Sequence, residues 1–250
     1  MTVATRRSAA VGNVQAPNLS RIPRARLERM LAAGEEALEC QRVLEKAGLN
    51  LVGEVLRGHG EFYELAHYPP EDVYDRETHS QYYYHAHGGI AGEHGHFHTF
   101  LRAAGMPEDA APVAYAGDEP WPRGEDALSH LVAVSMDPYG RAMGLFCVNR
   151  WVTGDAWYAA GDVVRMLPRF RIDHAFPSWP VNRWLSAIME LYFPHIAALL
   201  MRRDTVVEAW ARANPERDVF EDRQLELTGW MPIDVEADVR LLRERVSQQR

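Results

Sequence analysis

Cysteine and lysine are almost absent from this 250-residue chain. Lys46 is the only lysine, and the only two cysteines, Cys40 and Cys147, lie far apart in the sequence. Such a pair forms neither a disulfide framework nor a Cys-X-X-Cys motif. The chain also lacks a phosphate-binding glycine loop and a Gly-X-Ser-X-Gly elbow. These absences exclude disulfide-rich scaffolds and the common nucleotide-binding and serine-hydrolase classes.

The chain also lacks an excess of basic residues and a long apolar run. Its net charge of −8 argues against nucleic acid as the main partner, because phosphate binding needs a basic field. The most apolar stretch, residues 184–201, is interrupted by Glu190, Pro194 and His195, whereas a membrane span needs roughly 20 nearly uncharged residues. The first residues have no apolar signal-peptide core. We therefore expect a cytoplasmic protein that acts on a small molecule, with no membrane or nucleic-acid partner.

The pattern of apolar residues divides the chain into a tail and a domain. Residues 1–20 are small and polar without a clear period, which predicts a disordered tail. Residues 21–250 are predicted to form a single metal-binding α+β domain. Helical spacing of apolar residues runs from Pro23 to Gly48 and again from Ser178, where Pro194 should kink the helix. Helices are thus expected at both ends of the domain.

Two β-hairpins are predicted between these helical regions. The aromatic-rich residues 81–87, a glycine-rich turn and residues 94–101 make the first hairpin. The second joins residues 129–136 to residues 143–151 through a type I turn over Asp137-Pro-Tyr-Gly140. The fold class is therefore α+β, with a mainly antiparallel sheet that carries the first hairpin between N-terminal and C-terminal helices.

The first hairpin is rich in histidine. Six of the eleven histidines lie between His79 and His98, and five of them occupy alternating positions: His85, His87, His94, His96 and His98. Alternate residues of a strand share one face. Imidazole is the commonest side-chain ligand of transition metals, and burial of unpaired imidazoles is costly. The pattern predicts a mononuclear transition-metal site, with iron or copper favoured and zinc as an alternative.

Two strand registers would give two different sites. If His87 lies opposite His94, then His85 faces His96 and Tyr83 faces His98, so the histidines crowd one position. A shift of one residue places Glu93 opposite His87 and yields two histidines with one carboxylate, the ligand set of many iron oxygenases. We favour the first register because it gathers more ligands. Glu93 then orients an imidazole or acts as a general base.

Two family resemblances follow from these motifs. His85-X-His87 with a later Glu93 resembles the first metal motif of cupin β-barrels, but the glutamate comes later than the cupin spacing. A second cupin motif is missing, and too few strands are predicted for that barrel. The stretch from Tyr82 to Arg102, with Asn149-Arg-Trp151, resembles an uncharacterised bacterial family that carries paired Tyr-His-X-His and Glu-His-Gly-His-Phe-His motifs. This resemblance implies one coherent domain and no particular reaction.

Three functions remain open at this stage. The surplus of histidines, the nearby carboxylate and the aromatic surroundings favour a catalytic site with an open coordination position. We favour non-haem iron or copper oxidation of a small molecule, with Glu93 and His130 as candidate acid–base residues. A zinc-dependent hydrolase or hydratase is the second alternative. A non-catalytic metal-binding or metal-handling protein is the third.

Overall fold

A computed structural model describes residues 13–87 and 89–248 and confirms the α+β prediction. Residues 1–12 of the predicted disordered tail lie outside the described residues. Within residues 13–20, Asn13 forms a parallel bridge with Trp230, and a short 3₁₀ turn, Leu19–Arg21, leads into the first helix.

The sheet has six antiparallel strands that are adjacent in chain order, so it is a simple meander. The strands are β1 Tyr68–Tyr74, β2 Ser80–His85, β3 Gly95–Arg102, β4 Leu128–Met136, β5 Ala142–Val148 and β6 Leu227–Pro232. The two predicted hairpins correspond to the pairs β2–β3 and β4–β5. The second hairpin ends earlier than predicted, because a short helix begins at Arg150.

The two edge strands were not predicted. β1 contains Pro69 and Pro70, and proline is tolerated in sheets mainly at edges, where its missing N–H faces no partner strand. β6 lies in the region predicted to be mostly helical, but it pairs with β5 from Gly144 to Val148. The positions of both strands depend on pairing with the neighbouring strands, because neither has a strong sequence pattern of its own.

The helices are α1 Arg24–Lys46, α2 Leu51–Val55, α3 Arg150–Thr153, α4 Ala160–Met166, α5 Trp179–Leu191, α6 Phe193–Ala213 and α7 Val235–Gln248. Further 3₁₀ turns cover Ala103–Gly105, Gly124–Asp126 and Leu167–Arg169. The predicted kink at Pro194 is confirmed, since α5 and α6 meet at 71° and the proline lies in the first turn of α6. Among the described helices no single one is long and apolar enough to cross a membrane, and only this bent pair reaches that length and composition together.

The two faces of the sheet differ in chemistry. One face packs on α5, where Tyr82 donates a hydrogen bond to Asn182 at 2.6 Å and the Phe97 ring lies 6.0 Å from the Trp184 ring. Because side chains alternate along a strand, Tyr83 of β2 and the even-numbered residues of β3 emerge on the opposite face. We call this opposite face the histidine face, since it carries His85, His96 and His98. The apolar core thus supports a polar site from behind.

Candidate metal centre

The β2–β3 register brings the hairpin histidines together. His85 pairs with His96 and Tyr83 pairs with His98, as in the favoured register, and the register that pairs Glu93 with His87 is wrong. Gly95 begins β3, and a Cβ atom there would lie 2.5 Å from the His85 carbonyl oxygen and 2.6 Å from the Tyr84 hydroxyl oxygen. The glycine between His94 and His96 therefore permits the close approach of the two strands.

Three histidines form a group that could hold a metal ion. One ring nitrogen from each of His85, His87 and His96 lies within 4.8 Å of the other two. The Nε2 atoms of His85 and His96 are 2.8 Å apart, while the His87 ring lies 5.2 Å and 5.0 Å from their rings. Nitrogens bound to one tetrahedral ion at about 2.0–2.1 Å are roughly 3.3 Å apart. The three rings need only small shifts to reach that spacing.

Glu93 contacts the three-histidine group through His96 and is not itself a member of that group. Its Oε1 lies 3.1 Å from His96 Nδ1, and both side chains are almost fully buried. A carboxylate only accepts hydrogen bonds, so His96 carries its proton on Nδ1 and presents the Nε2 lone pair. This arrangement is the carboxylate–histidine support that orients many metal-binding imidazoles.

The protonation of the metal-free pair follows from that contact. Since His96 Nε2 bears no proton, the 2.8 Å contact requires His85 to donate from its own Nε2. A metal ion between the two nitrogens would displace this proton, and His85 would then bind through the same atom. The hydrogen bond therefore keeps both ligand atoms directed at one point when no ion is bound.

The structure does not bring His94 to the histidine face. Its Nδ1 lies 2.7 Å from the Tyr84 hydroxyl, and its ring contacts Phe62 at 5.3 Å. Tyr84 belongs to the face that packs on the helices. Alternation places side chains on one face only within a strand, and β3 begins at Gly95, after His94.

Two further histidines lie beside the three-histidine group. We call the five residues together the histidine cluster: His85, His87, His96, His98 and His130. The His98 ring lies 4.8 Å from the His96 ring and 5.1 Å from the His85 ring, and its Nδ1 is 3.0 Å from His130 Nε2. His98 Nε2 is buried without a hydrogen-bond partner within the described parts of the chain. The backbone N–H of His130 donates to Asp155 at 2.8 Å. His130 thus supports His98 and does not reach the three-histidine group itself.

Burial lowers the pKa of several of these histidines. It lowers the pKa of His85 to about 2, with further lowering from neighbouring His96 and His87. Burial, followed by the charge of Arg203, lowers the pKa of His130 to about 3. The pKa of His98 also lies well below its usual range because of burial and the adjacent histidines. Neutral imidazole is the form that binds metals, so His85 is ready to bind an ion at neutral pH.

His67 also lies beside the centre, although no pattern in the sequence marks it as a site residue. Its ring stacks on Tyr83 at 3.7 Å and lies 5.8 Å from the His85 ring. His67 directly precedes β1, the proline-containing edge strand that the sequence pattern did not predict. Only the pairing of β1 with β2 places it here.

Comparison with known proteins identifies the family and no activity. No curated protein and no solved structure gave a significant match to the chain. One family, described as a domain of unknown function (DUF6969), matches residues 31–233. This range includes all six strands and every residue of the histidine cluster. The resemblance to an uncharacterised family is therefore confirmed, and the chain belongs to the DUF6969 family.

Proposed function

We propose that this protein is a metalloenzyme with a mononuclear transition-metal centre on His85, His87 and His96. The observation that carries the proposal is the convergence of three histidine nitrogens within 4.8 Å of one another. A structural zinc site is usually closed by four protein ligands, whereas catalytic sites keep three and leave a position for water or substrate. Three ligands on the edge of a buried cluster fit the catalytic arrangement.

The favoured reaction is oxidation of a small molecule by iron or copper. Imidazole suits both metals, and each would supply redox chemistry when bound. The aromatic rings around the cluster support this assignment, since Phe146 lies 5.0 Å from His96 and Tyr83 lies 5.3 Å from His85. Such rings exclude bulk water from a reactive centre. The negative net charge supports a small molecule, and not nucleic acid, as the partner.

Zinc-dependent hydrolysis or hydration is the second candidate, and the position of Glu93 favours it. The carboxylate contacts His96 Nδ1, which leaves an all-histidine ligand set. Three histidines with one open position form the ligand set of zinc hydratases, in which the metal lowers the pKa of bound water. Glu93 serves in both candidates as the residue that orients His96.

Metal analysis of protein prepared without a histidine tag tests the proposal. We expect about one tightly held transition-metal ion per chain, because the three nitrogens define one position. Iron or copper at one equivalent supports the oxidation, and zinc at one equivalent supports the hydrolytic candidate. Several weakly held ions that dialysis removes would contradict a catalytic centre and indicate a metal-handling protein.

Replacement of Glu93 by glutamine tests its role. Glu93→Gln removes the charge that supports the His96 Nδ1 proton while keeping the size of the side chain. We expect metal affinity to fall by roughly 10- to 100-fold, with the ion still bound at stoichiometric concentration. Competition with a chelator of known affinity measures the change. Glu108→Gln, at an exposed position outside the cluster, is the matched control. A folded Glu93→Gln protein that binds no metal would instead make Glu93 a direct ligand.

A further inference from the structure

A chain of hydrogen bonds crosses three strands of the sheet and ends at His67, whose ring lies beside that of His85. Arg102 Nε lies 2.6 Å from Gln81 Oε1, and Gln81 Nε2 lies 2.6 Å from Asp72 Oδ2. The other carboxylate oxygen, Asp72 Oδ1, lies 2.9 Å from His67 Nδ1. These hydrogen bonds therefore link four side chains in a row. Three of them belong to strands, and His67 belongs to the segment before β1.

The proton positions along this chain follow from its first member. Arginine can only donate, so the atom of Gln81 that faces Arg102 must be its carbonyl oxygen. The amide nitrogen of Gln81 then donates to Asp72. A carboxylate only accepts hydrogen bonds, so its second oxygen accepts one from the Nδ1–H group of His67. The neutral ring of His67 consequently has a lone pair, and no proton, on Nε2.

The ring of His67 lies at the boundary between the centre and solvent. The His67 ring stacks on Tyr83 with an interplanar angle of 9°, which fixes its plane. The side chain is 39% exposed, in contrast to the buried His85 and His96. Its Nε2 has no hydrogen-bond partner within residues 13–87 and 89–248. His67 therefore offers an oriented acceptor to a molecule that approaches the centre.

The backbone of β1 is shaped to hold this acceptor in place. The pairing of β1 with β2 is irregular between Tyr68 and Val73, and Asp72 in that interval has a φ of 57°. Bulges redirect side chains, and residues other than glycine in the left-handed region are uncommon and concentrate at functional sites. Here the irregularity directs Asp72 toward both Gln81 and His67.

We propose that His67 Nε2 is a substrate-binding atom of the metal centre. It accepts a hydrogen bond from a hydroxyl or N–H group of a small substrate whose neighbouring atom enters the open coordination position. The substrate class is thus a small molecule with a hydrogen-bond donor one or two bonds from its metal-binding atom. This inference rests on the proposed metal centre and adds the feature of the substrate that the protein recognises.

The proton position on His67 can be tested without any metal. In Asp72→Asn, Gln81 still donates to the side-chain oxygen, so the new NH₂ group faces His67 and donates to Nδ1. The neutral ring must then carry its proton on Nε2. Nitrogen-15 NMR of the imidazoles at mildly alkaline pH distinguishes the two forms. We expect an unprotonated Nε2 in the natural protein and a protonated one in Asp72→Asn. A protonated Nε2 in the natural protein would overturn the inference.

Binding of two probes tests the recognition itself. Acetohydroxamic acid and its N-methyl analogue both bind metals, but only the first has an N–H beside the metal-binding oxygens. Their binding to cobalt(II)-loaded protein is followed through the visible spectrum of the ion. We expect a preference of about 5- to 10-fold for the N–H probe, the value of one hydrogen bond. His67→Phe, which retains the stacking on Tyr83, should abolish the preference, and Asp72→Asn should also remove it.

A control variant and the binding of cobalt distinguish failure of this inference from failure of the proposed metal centre. His79→Asn removes another histidine that contacts a tyrosine, since its Nδ1 lies 2.6 Å from the Tyr74 hydroxyl, and should leave the preference intact. Equal binding of the two probes to the natural protein, or an unchanged preference in His67→Phe, would overturn the inference. If cobalt fails to bind at all, the proposed metal centre is wrong.

Discussion

The double variant His85→Ala/His96→Ala is expected to lose tight metal binding completely. These residues supply two of the three converging nitrogens, and the remaining His87 is only partly buried. Four-ligand zinc sites contribute about 10–16 kcal/mol of apparent binding free energy, or a few kcal/mol per ligand. Loss of two ligands should therefore weaken binding by more than about 10³-fold. Elemental analysis after dialysis, and chelator competition, measure the change.

A second double variant controls for the number of histidines. His59→Ala/His79→Ala removes two residues that lie outside the cluster and contact tyrosines. It should keep the full metal content of the natural protein. Far-ultraviolet circular dichroism should be similar in both variants, because the long helix α5 packs on the other face of the sheet. Stoichiometric metal in the His85/His96 variant would mean that the ion binds elsewhere.

The long helices α1, α5 and α6, the two central hairpins and the histidine face follow from local patterns in the sequence. Alternation of His96 and His98 along one strand places both rings on one face, and the turn glycines between the strands indicate a hairpin. The edge strands gave no such signal. β1 contains two prolines, and β6 is short and follows long helices, so their positions depend on pairing with β2 and β5. Tertiary context decides strands of this kind.

The site residues show the same difference between what local sequence patterns predict and what only long-range contacts determine. His94 fits the alternation, but it precedes the first residue of β3, and a contact with Tyr84 takes its ring to the other face. His67 fits no pattern at all. It reaches the centre because Asp72, Gln81 and the ring of Tyr83 fix its position across two strands. Spacing along one strand cannot reveal a residue that comes from another.

The position of the centre on the sheet has consequences for its rigidity. His85 and His96 belong to adjacent central strands, and the strands are held from behind by Tyr82 and Phe97 packed on α5. Ligands on paired strands with a buried support are held more precisely than ligands on loops. His87, which follows the last residue of β2, is the exception. Of the three proposed ligands, His87 is the one with most freedom to move.

The stability of the metal-free protein is expected to fall steeply as the pH drops below about 6.5, the usual pKa of histidine in an unfolded chain. Burial lowers the pKa of His85 to about 2 and that of His130 to about 3 in the folded protein. At pH values between the folded and unfolded pKa, the unfolded chain binds more protons, so acid favours unfolding. Each such histidine adds a slope of up to about 1.4 kcal/mol per pH unit. Urea unfolding at a series of pH values measures the total slope.

Removal of one titrating group tests whether the cluster causes this slope. His130→Asn should reduce the slope by up to about 1.4 kcal/mol per pH unit, whatever its effect on stability at neutral pH. Saturation with metal should stabilise the protein at neutral pH, and this gain should shrink in acid, because protons compete with the ion for the same imidazoles. A free energy of unfolding that stays constant between about pH 6.5 and pH 4 would contradict a neutral buried cluster.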